Sequence, residues 1–227
     1  MCGRFKRSET WAQYYAYLGL NTPIPNAPPR YNVAPTDEVY VVRKSKGGIT
    51  HELVTLRWGL VPYWAKDAKS AAKNINARAE TVDEKPSFRE AFANRPCLVL
   101  ADGFYEWRKE GRGRQPYMIT LTNGGPFVFA GLWEKWRATN ENNQSLETCT
   151  IVTTDASDVL SEIHPRMPVI LKPEDHATWL DRDDLIARKQ LLRPLPRELL
   201  AITRVSTRVN SVANDDVACM APELSLL

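Results

Sequence analysis

Three glycine turns, Lys46-Gly47-Gly48, Gly111-Arg112-Gly113 and Asn123-Gly124-Gly125, divide the middle of the chain into short runs rich in β-branched and aromatic residues. Turns this tight join strands that reverse direction, since a parallel pair needs a crossover of a dozen or more residues. The runs are Val39 to Arg43, Glu52 to Leu60, Cys97 to Ala101, Phe104 to Arg108, Tyr117 to Leu121 and Phe127 to Leu132. A mostly antiparallel sheet follows.

Around this core the signals are mixed. Ser8 is placed to cap a helix with Trp11, Tyr14, Tyr15 and Leu18 on one stripe. The Pro-rich stretch Thr22 to Pro35 disfavours helix and central strand and reads as an ordered loop. Thr148 to Thr153 is a further strand, Asp155 caps a helix from Ala156 to Ile163, and Pro168 to Leu171 is extended. Pro173 to Leu180 and Asp184 to Leu192 read as helices, and Ile202 to Val209 returns to the sheet. With no repeat, low-complexity tract or boundary signal, residues 1–227 are expected to form one α+β domain centred on a sheet or partly closed barrel.

A chain of 227 residues, 43% hydrophobic with seven Trp, can bury a core of its own. It has no signal-peptide run and no stretch of about 20 apolar residues, so an intracellular protein without membrane contact is expected. Cys2, Cys97, Cys149 and Cys219 form no C-x-x-C pair, which argues for reduced thiols and neither a zinc cage nor a disulfide framework. No metal or cofactor is expected. Net charge is only +3, too small to indicate nucleic-acid binding by itself. Its distribution is uneven: five acids lie between 174 and 184, while Arg4, Lys6, Arg7, Arg43, Lys44, Lys46, Arg108, Lys109, Arg112 and Arg114 suggest one positive face.

Met-Cys-Gly-Arg at the start carries the most chemistry. Loss of Met1 leaves Cys2 as a 1,2-aminothiol, whose amine condenses with an aldehyde while the thiol closes a five-membered thiazolidine. The unperturbed amine and thiol titrate near about 8 and about 8.5, so a neighbouring acid–base group is expected. Cys2 also reads as an incidental residue on a frayed terminus, whereas Cys97 and Cys149 lie in apolar runs and read as packing residues. Asn76 and Arg78 fall in Asn74 to Glu80, where an amide can orient an oxygen and a guanidinium can hold a phosphate, or the segment is an ordinary turn. Strand alternation sets Glu106 on the side of Phe104 and opposite Tyr105 and Trp107. Facing a cleft, its pKa rises and suits proton transfer; on an edge strand it is a solvated carboxylate. His164, between Ile163 and Pro165, is held by restricted backbone and suits proton shuttling, or is structural. Trp58 to Lys66 interleaves aromatic and basic residues as single-stranded nucleic acid requires, with Trp64 the ring least needed for the core.

Taken in order, Met-Cys-Gly-Arg-Phe at 1–5, Arg-Tyr-Asn-Val-Ala-Pro-Thr at 30–36, Arg-Trp-Gly-Leu-Val-Pro at 57–62, Asn-Ala-Arg-Ala-Glu-Thr at 76–81, Gly-Phe-Tyr-Glu-Trp at 103–107 and His-Pro-Arg-Met-Pro at 164–168 resemble the SRAP family of SOS-response-associated peptidase, or abasic-site processing, domains. The resemblance implies an α+β pseudo-barrel of mostly antiparallel sheets with flanking helices. It implies binding of single-stranded DNA and a thiazolidine crosslink between Cys2 and the ring-opened sugar of an abasic site. It further implies a lyase-like enzyme of the DNA damage response with a cysteine-type autopeptidase activity, a hydrolase step that removes the first residue.

By matching motif, Asn76 positions Cys2 and the sugar, Glu106 transfers protons and releases the N-terminal residue, and His164 assists ring opening and reversal. Arg4, Asn32, Arg78 and Arg166 are implied DNA or lesion contacts, and Trp64 and Trp107 stacking or wedge residues. A monomeric, cytoplasmic, bacterial-type protein without a partner-recruiting tail is expected. Two other classes share some of these features: a glutamine amidohydrolase using Cys2 and its own amine, and a non-catalytic single-strand binder.

Overall fold

The computed structural model describes residues 2–48, 50–138 and 144–223, those at 70–72 by backbone alone. Its strands are β1 (Phe5–Arg7), β2 (Arg30–Val33), β3 (Glu38–Lys44), β4 (His51–Trp58), β5 (Asn76–Arg78), β6 (Pro96–Ala101), β7 (Gly103–Glu110), β8 (Gly113–Leu121), β9 (Phe127–Arg137), β10 (Ser145–Asp155), β11 (Arg166–Pro168), β12 (Ile170–Leu171) and β13 (Leu200–Arg204). Short helices flank them: α1 (Trp11–Leu18), α2 (Arg89–Asn94), α3 (Asp158–Ser161), α4 (His176–Leu180) and α5 (Leu185–Gln190).

The glycine turn at 46–48 closes the antiparallel β3–β4 hairpin, and that at 111–113 closes β7–β8. The turn at 123–125 does something different. Gly124 and Gly125, at φ 69° and 83°, occupy backbone space that L side chains rarely adopt. They hand the chain from β8, in a sheet ordered β13-β8-β7-β1-β2, to β9 in a second sheet. In that second sheet β4, β3, β6, β9 and β10 pair in a ring. Its seam is the parallel contact of β10 with β4, Thr148↔Arg57 and Cys149↔Trp58. The α+β class and the pseudo-barrel are thus present, with parallel pairing confined to β10 against β4 and β5.

Alternation along the ring separates its two faces. Val39, Val41, Val54, Leu56, Cys97, Val99, Phe127, Phe129, Cys149 and Ile151 share one apolar cluster in the lumen. The intervening Val42, Leu98, Leu100, Val128, Ala130 and Val152 face outward onto Tyr14, Phe92, Trp179 and Leu180 of the helices. Phe5 of β1 enters the lumen edge-on to Trp58 and Phe129, with ring centroids 5.2 and 5.7 Å away. Burying such a ring contributes about 1.5–3 kcal/mol, which fixes the N-terminal strand against the barrel.

Several expectations need correcting. Thr10, not Ser8, caps α1: its hydroxyl accepts from Gln13 N, and Gln13 bonds back to Thr10 N. Ser8 is instead drawn to Asp102, to which its N–H donates at 2.5 Å. The Thr22–Pro35 loop ends in a strand, because Arg30 to Val33 follow the last paired proline and are free to pair with β1. Ser157 rather than Asp155 stands at the N-cap of α3, which is one turn long because Pro165 follows closely. Beyond β13 the chain forms a 3₁₀ turn at Thr207–Asn210 instead of continuing to Val209 as strand.

The positive face is also smaller than expected. Lys6 is buried on Asp102 at 2.6 Å, Arg7 is buried under Trp11 and Tyr40, and Arg43 is buried between Glu52 and Glu147. All four cysteines are free thiols with buried side chains. Among the described residues no helix is long and apolar enough to cross a membrane, and no cluster of three or more His, Cys, Asp or Glu is placed to hold a metal.

Candidate active site

Three elements carry the candidate residues to one rim of the barrel. Antiparallel pairing of β1 with β7 sets Phe5 opposite Phe104, and Tyr105 N–H donates to Arg4 O at 3.0 Å. Continued by two residues, that register brings Glu106 alongside the start of the chain. Parallel pairing with β10 sets Asn76 opposite Ile151, from where Asn76 Nδ2 donates to Cys2 O at 2.9 Å. Finally β11 pairs with the end of β10, Asp155↔Arg166, and α3 delivers His164, whose N–H donates to Leu160 O at 2.9 Å. Leu160 and Ile163 pack in the same apolar cluster as Cys2.

Burial dominates the electrostatics. Cys2 is fully buried and Glu106 is 2% exposed. Loss of hydration pushes the Cys2 thiol well above its usual value, and the negative charge of Glu106 pushes it further. The same desolvation raises the Glu106 carboxyl to about 7, so near neutrality it can both give and take a proton. This excludes the solvated edge-strand reading, since β7 lies between β1 and β8. Burial lowers the His164 imidazole, with backbone bonding to Arg166 opposing the shift. His164 Nδ1 lies 3.0 Å from both the N–H and the carbonyl oxygen of Arg166, which fixes the orientation of the ring. Asn76 Oδ1 is buried and accepts no hydrogen bond from the described residues. It can therefore take an N–H or O–H from a bound group.

The remaining candidates are distributed around this rim unequally. Arg4 lies 5.8 Å over the Trp107 ring and donates from Nη1 to Asn32 Oδ1 at 2.8 Å and Val209 O at 2.9 Å. Asn32 is buried, and its amide donates to Val209, Ser211 and Asn214 carbonyls, so its observed contacts are within the chain. Arg78 is exposed on β5, two residues beyond Asn76 and hence on the same side of the strand. Arg166 donates to Glu80 and Asp155 at 2.6 and 2.8 Å. Trp64 is 54% exposed, on a separate loop beside the equally open Tyr63.

Sequence reasoning missed the tail that frames this rim. Asp215 accepts from Tyr31 N at 2.5 Å and Asn32 N at 2.9 Å, and Asn210 Oδ1 accepts from Trp107 Nε1 at 2.6 Å. No local pattern signals such contacts, because their partners are more than 100 residues away in the chain.

Fold and site together define an α+β barrel protein with a second-position cysteine packed beside a carboxyl that titrates near neutrality. The family model described as SOS response associated peptidase (SRAP) matches residues 1–212, and the chain belongs to that family. It is 40% identical over 229 residues to the abasic site processing protein YoqW of Bacillus subtilis, covering 99% of this chain and 98% of that one. It is 34% identical over 223 residues to the abasic site processing protein HMCES of Gallus gallus, covering 86% of this chain and 66% of that one. A solved protein from Bacteroides thetaiotaomicron superposes with a TM-score of 0.87 at 26% identity, covering 98% of this chain and all of that one.

Proposed function

We propose that this chain is an abasic-site sensor enzyme that binds single-stranded DNA and captures the lesion covalently through Cys2. The observation that carries this reading is the grip of Asn76 Nδ2 on Cys2 O beside the buried Glu106. This contact and the raised Glu106 carboxyl support reading Cys2 as the aminothiol and Glu106 as its proton-transfer partner. The names of relatives such as YoqW and HMCES support the choice of substrate.

Met1 lies outside the described residues, yet chemistry requires its removal, since a peptide nitrogen does not condense with an aldehyde. In the autopeptidase step Glu106 takes a proton from water that attacks the Met1 carbonyl, and returns one to the departing Cys2 amine. The amine then adds to C1 of the ring-opened sugar, and loss of water gives an imine. The Cys2 thiol adds to the imine carbon as its proton passes to nitrogen, closing the thiazolidine. One water is released overall. Protonated Glu106 and His164 Nε2 are the groups suited to drive sugar ring opening and, in reverse, release.

Arg4, Arg78 and Arg166 hold backbone phosphates, Trp107 and Trp64 stack on bases, and Asn32 acts by fixing Arg4. The protein works as a monomer of one domain, 1–227, on chromosomal DNA in the cytoplasm. Intact-mass analysis after incubation with a single-stranded abasic oligonucleotide tests the chemistry. The expected species is protein minus Met1 plus oligonucleotide minus one water; a mass retaining Met1 or that water excludes the thiazolidine.

A further inference from the structure

The barrel has a second mouth, at the opposite end of β10 from Arg166. Glu147 near the start of β10 and Asp155 at its end are roughly 26 Å apart along the strand. At this mouth the lumen-facing alternation continues past the apolar layers into Arg43, Glu52, Trp133, Lys135 and Glu147. They line an open cavity of about 300 Å³, to whose rim Lys44, Lys46, Arg95 and Arg182 also contribute. Barrel mouths are common ligand sites because the strands end there while the side chains still converge.

The lining holds six cations and two carboxylates; Arg43, Lys44, Arg95 and Lys135 are ion-paired, to Glu52, Glu147, Asp181, Glu90 and Glu134, so the positive charge left for a ligand is that of Lys46 and Arg182. Arg43 is stacked 4.1 Å over the Trp133 ring and engages both carboxylates, Glu52 at 2.7 Å and Glu147 at 3.0 Å. Lys46 and Arg182 are exposed at this mouth. Two buried donors, Trp133 Nε1 and Arg95 Nε, have no acceptor among the described residues, although Arg95 Nη2 reaches Glu134 at 2.8 Å. Buried donors of this kind are costly unless something accepts from them. An oxyanion drawn to Lys46 and Arg182 answers the positive charge of this mouth.

We propose that this mouth docks a backbone phosphate of the same nucleic-acid strand that the Cys2 rim engages, giving the protein a second, sequence-independent hold. The inference rests on the single-strand-binding reading above. Each phosphate neutralised releases condensed counterions, so such a hold adds to the salt dependence of binding.

The test uses Cys2→Ala protein, which forms no adduct, and two undamaged oligonucleotides of about 6 and about 30 nucleotides, lengths chosen to reach one or both sites. Lys46 and Arg182 are exposed, so the K46E/R182E variant keeps its packing. The expected result is about a tenfold loss of affinity for the long strand, with the slope of log affinity against log salt shallower by about 0.7, and no change for the short strand. Unchanged long-strand affinity, or an equal loss for both lengths, overturns the mouth while leaving the Cys2 reading intact. Failure of the unmutated Cys2→Ala protein to bind either strand overturns both.

Discussion

Under the proposed function, Glu106 couples the stability of the site to its chemistry. Its carboxyl is raised from 4.5 to about 7 by burial, so the fold favours the protonated form. The stabilisation this supplies is complete below about pH 4.5 and lost as pH rises through 7. Glu106→Gln removes the dependence: unfolding in urea should find it gaining up to about 3 kcal/mol on the parent between pH 5 and pH 8. A constant difference across that range contradicts the buried titration. The rate of adduct formation should rise with pH as the Cys2 amine loses its proton, then turn over above about 7 as Glu106 loses its own, and E106Q should lack the turnover. A flat profile from pH 5 to 9 contradicts a role for either group. The sequence exposed Cys2, Asn76, Glu106 and His164 because each sits in a short, chemically unusual motif. It left open whether Glu106 was solvated, since strand alternation fixes a side but not what covers it.

At the scale of elements, Asp102 ties the N-terminal strand to the turn between barrel and outer sheet. It accepts from Lys6, Tyr14 and the Ser8 and Glu9 N–H groups. Asp102→Asn replaces a buried charge partner with an amide that cannot accept all of these, and should lower stability by about 3–5 kcal/mol in denaturant unfolding. A loss under about 1 kcal/mol contradicts the clamp. In the barrel wall, Gly131 lies opposite Cys97, and an added Cβ stands 2.7 Å from Val99 Cγ2 and 2.9 Å from Cys97 Sγ. Gly131→Ala should therefore cost about 1–3 kcal/mol, read in the same experiment. Strands whose register is set by adjacent turns, β3–β4 and β7–β8, were legible from their glycines. The short β2, β5 and β11 were not, because their partners come from remote parts of the chain.

At the scale of the whole molecule, barrel closure depends on β10 meeting β4 in parallel, a contact between residues some 90 apart that no local pattern encodes. Charge was misjudged for a related reason: Lys6, Arg7 and Arg43 are drawn inward by partners visible only in three dimensions. The closed ring is what gives β1 and β7 a rigid wall, and on that wall Cys2 lies within reach of one amide and one near-neutral carboxyl. Under the proposed function, capture of an aldehydic DNA lesion by Cys2 is the central consequence. It is tested most directly by incubating Met1-free protein with a single-stranded oligonucleotide bearing one abasic site, beside Cys2→Ala, and resolving both on a denaturing gel. A shifted band that survives denaturation and is absent from Cys2→Ala is the expected result; a band of equal intensity in both, or none in either, contradicts it.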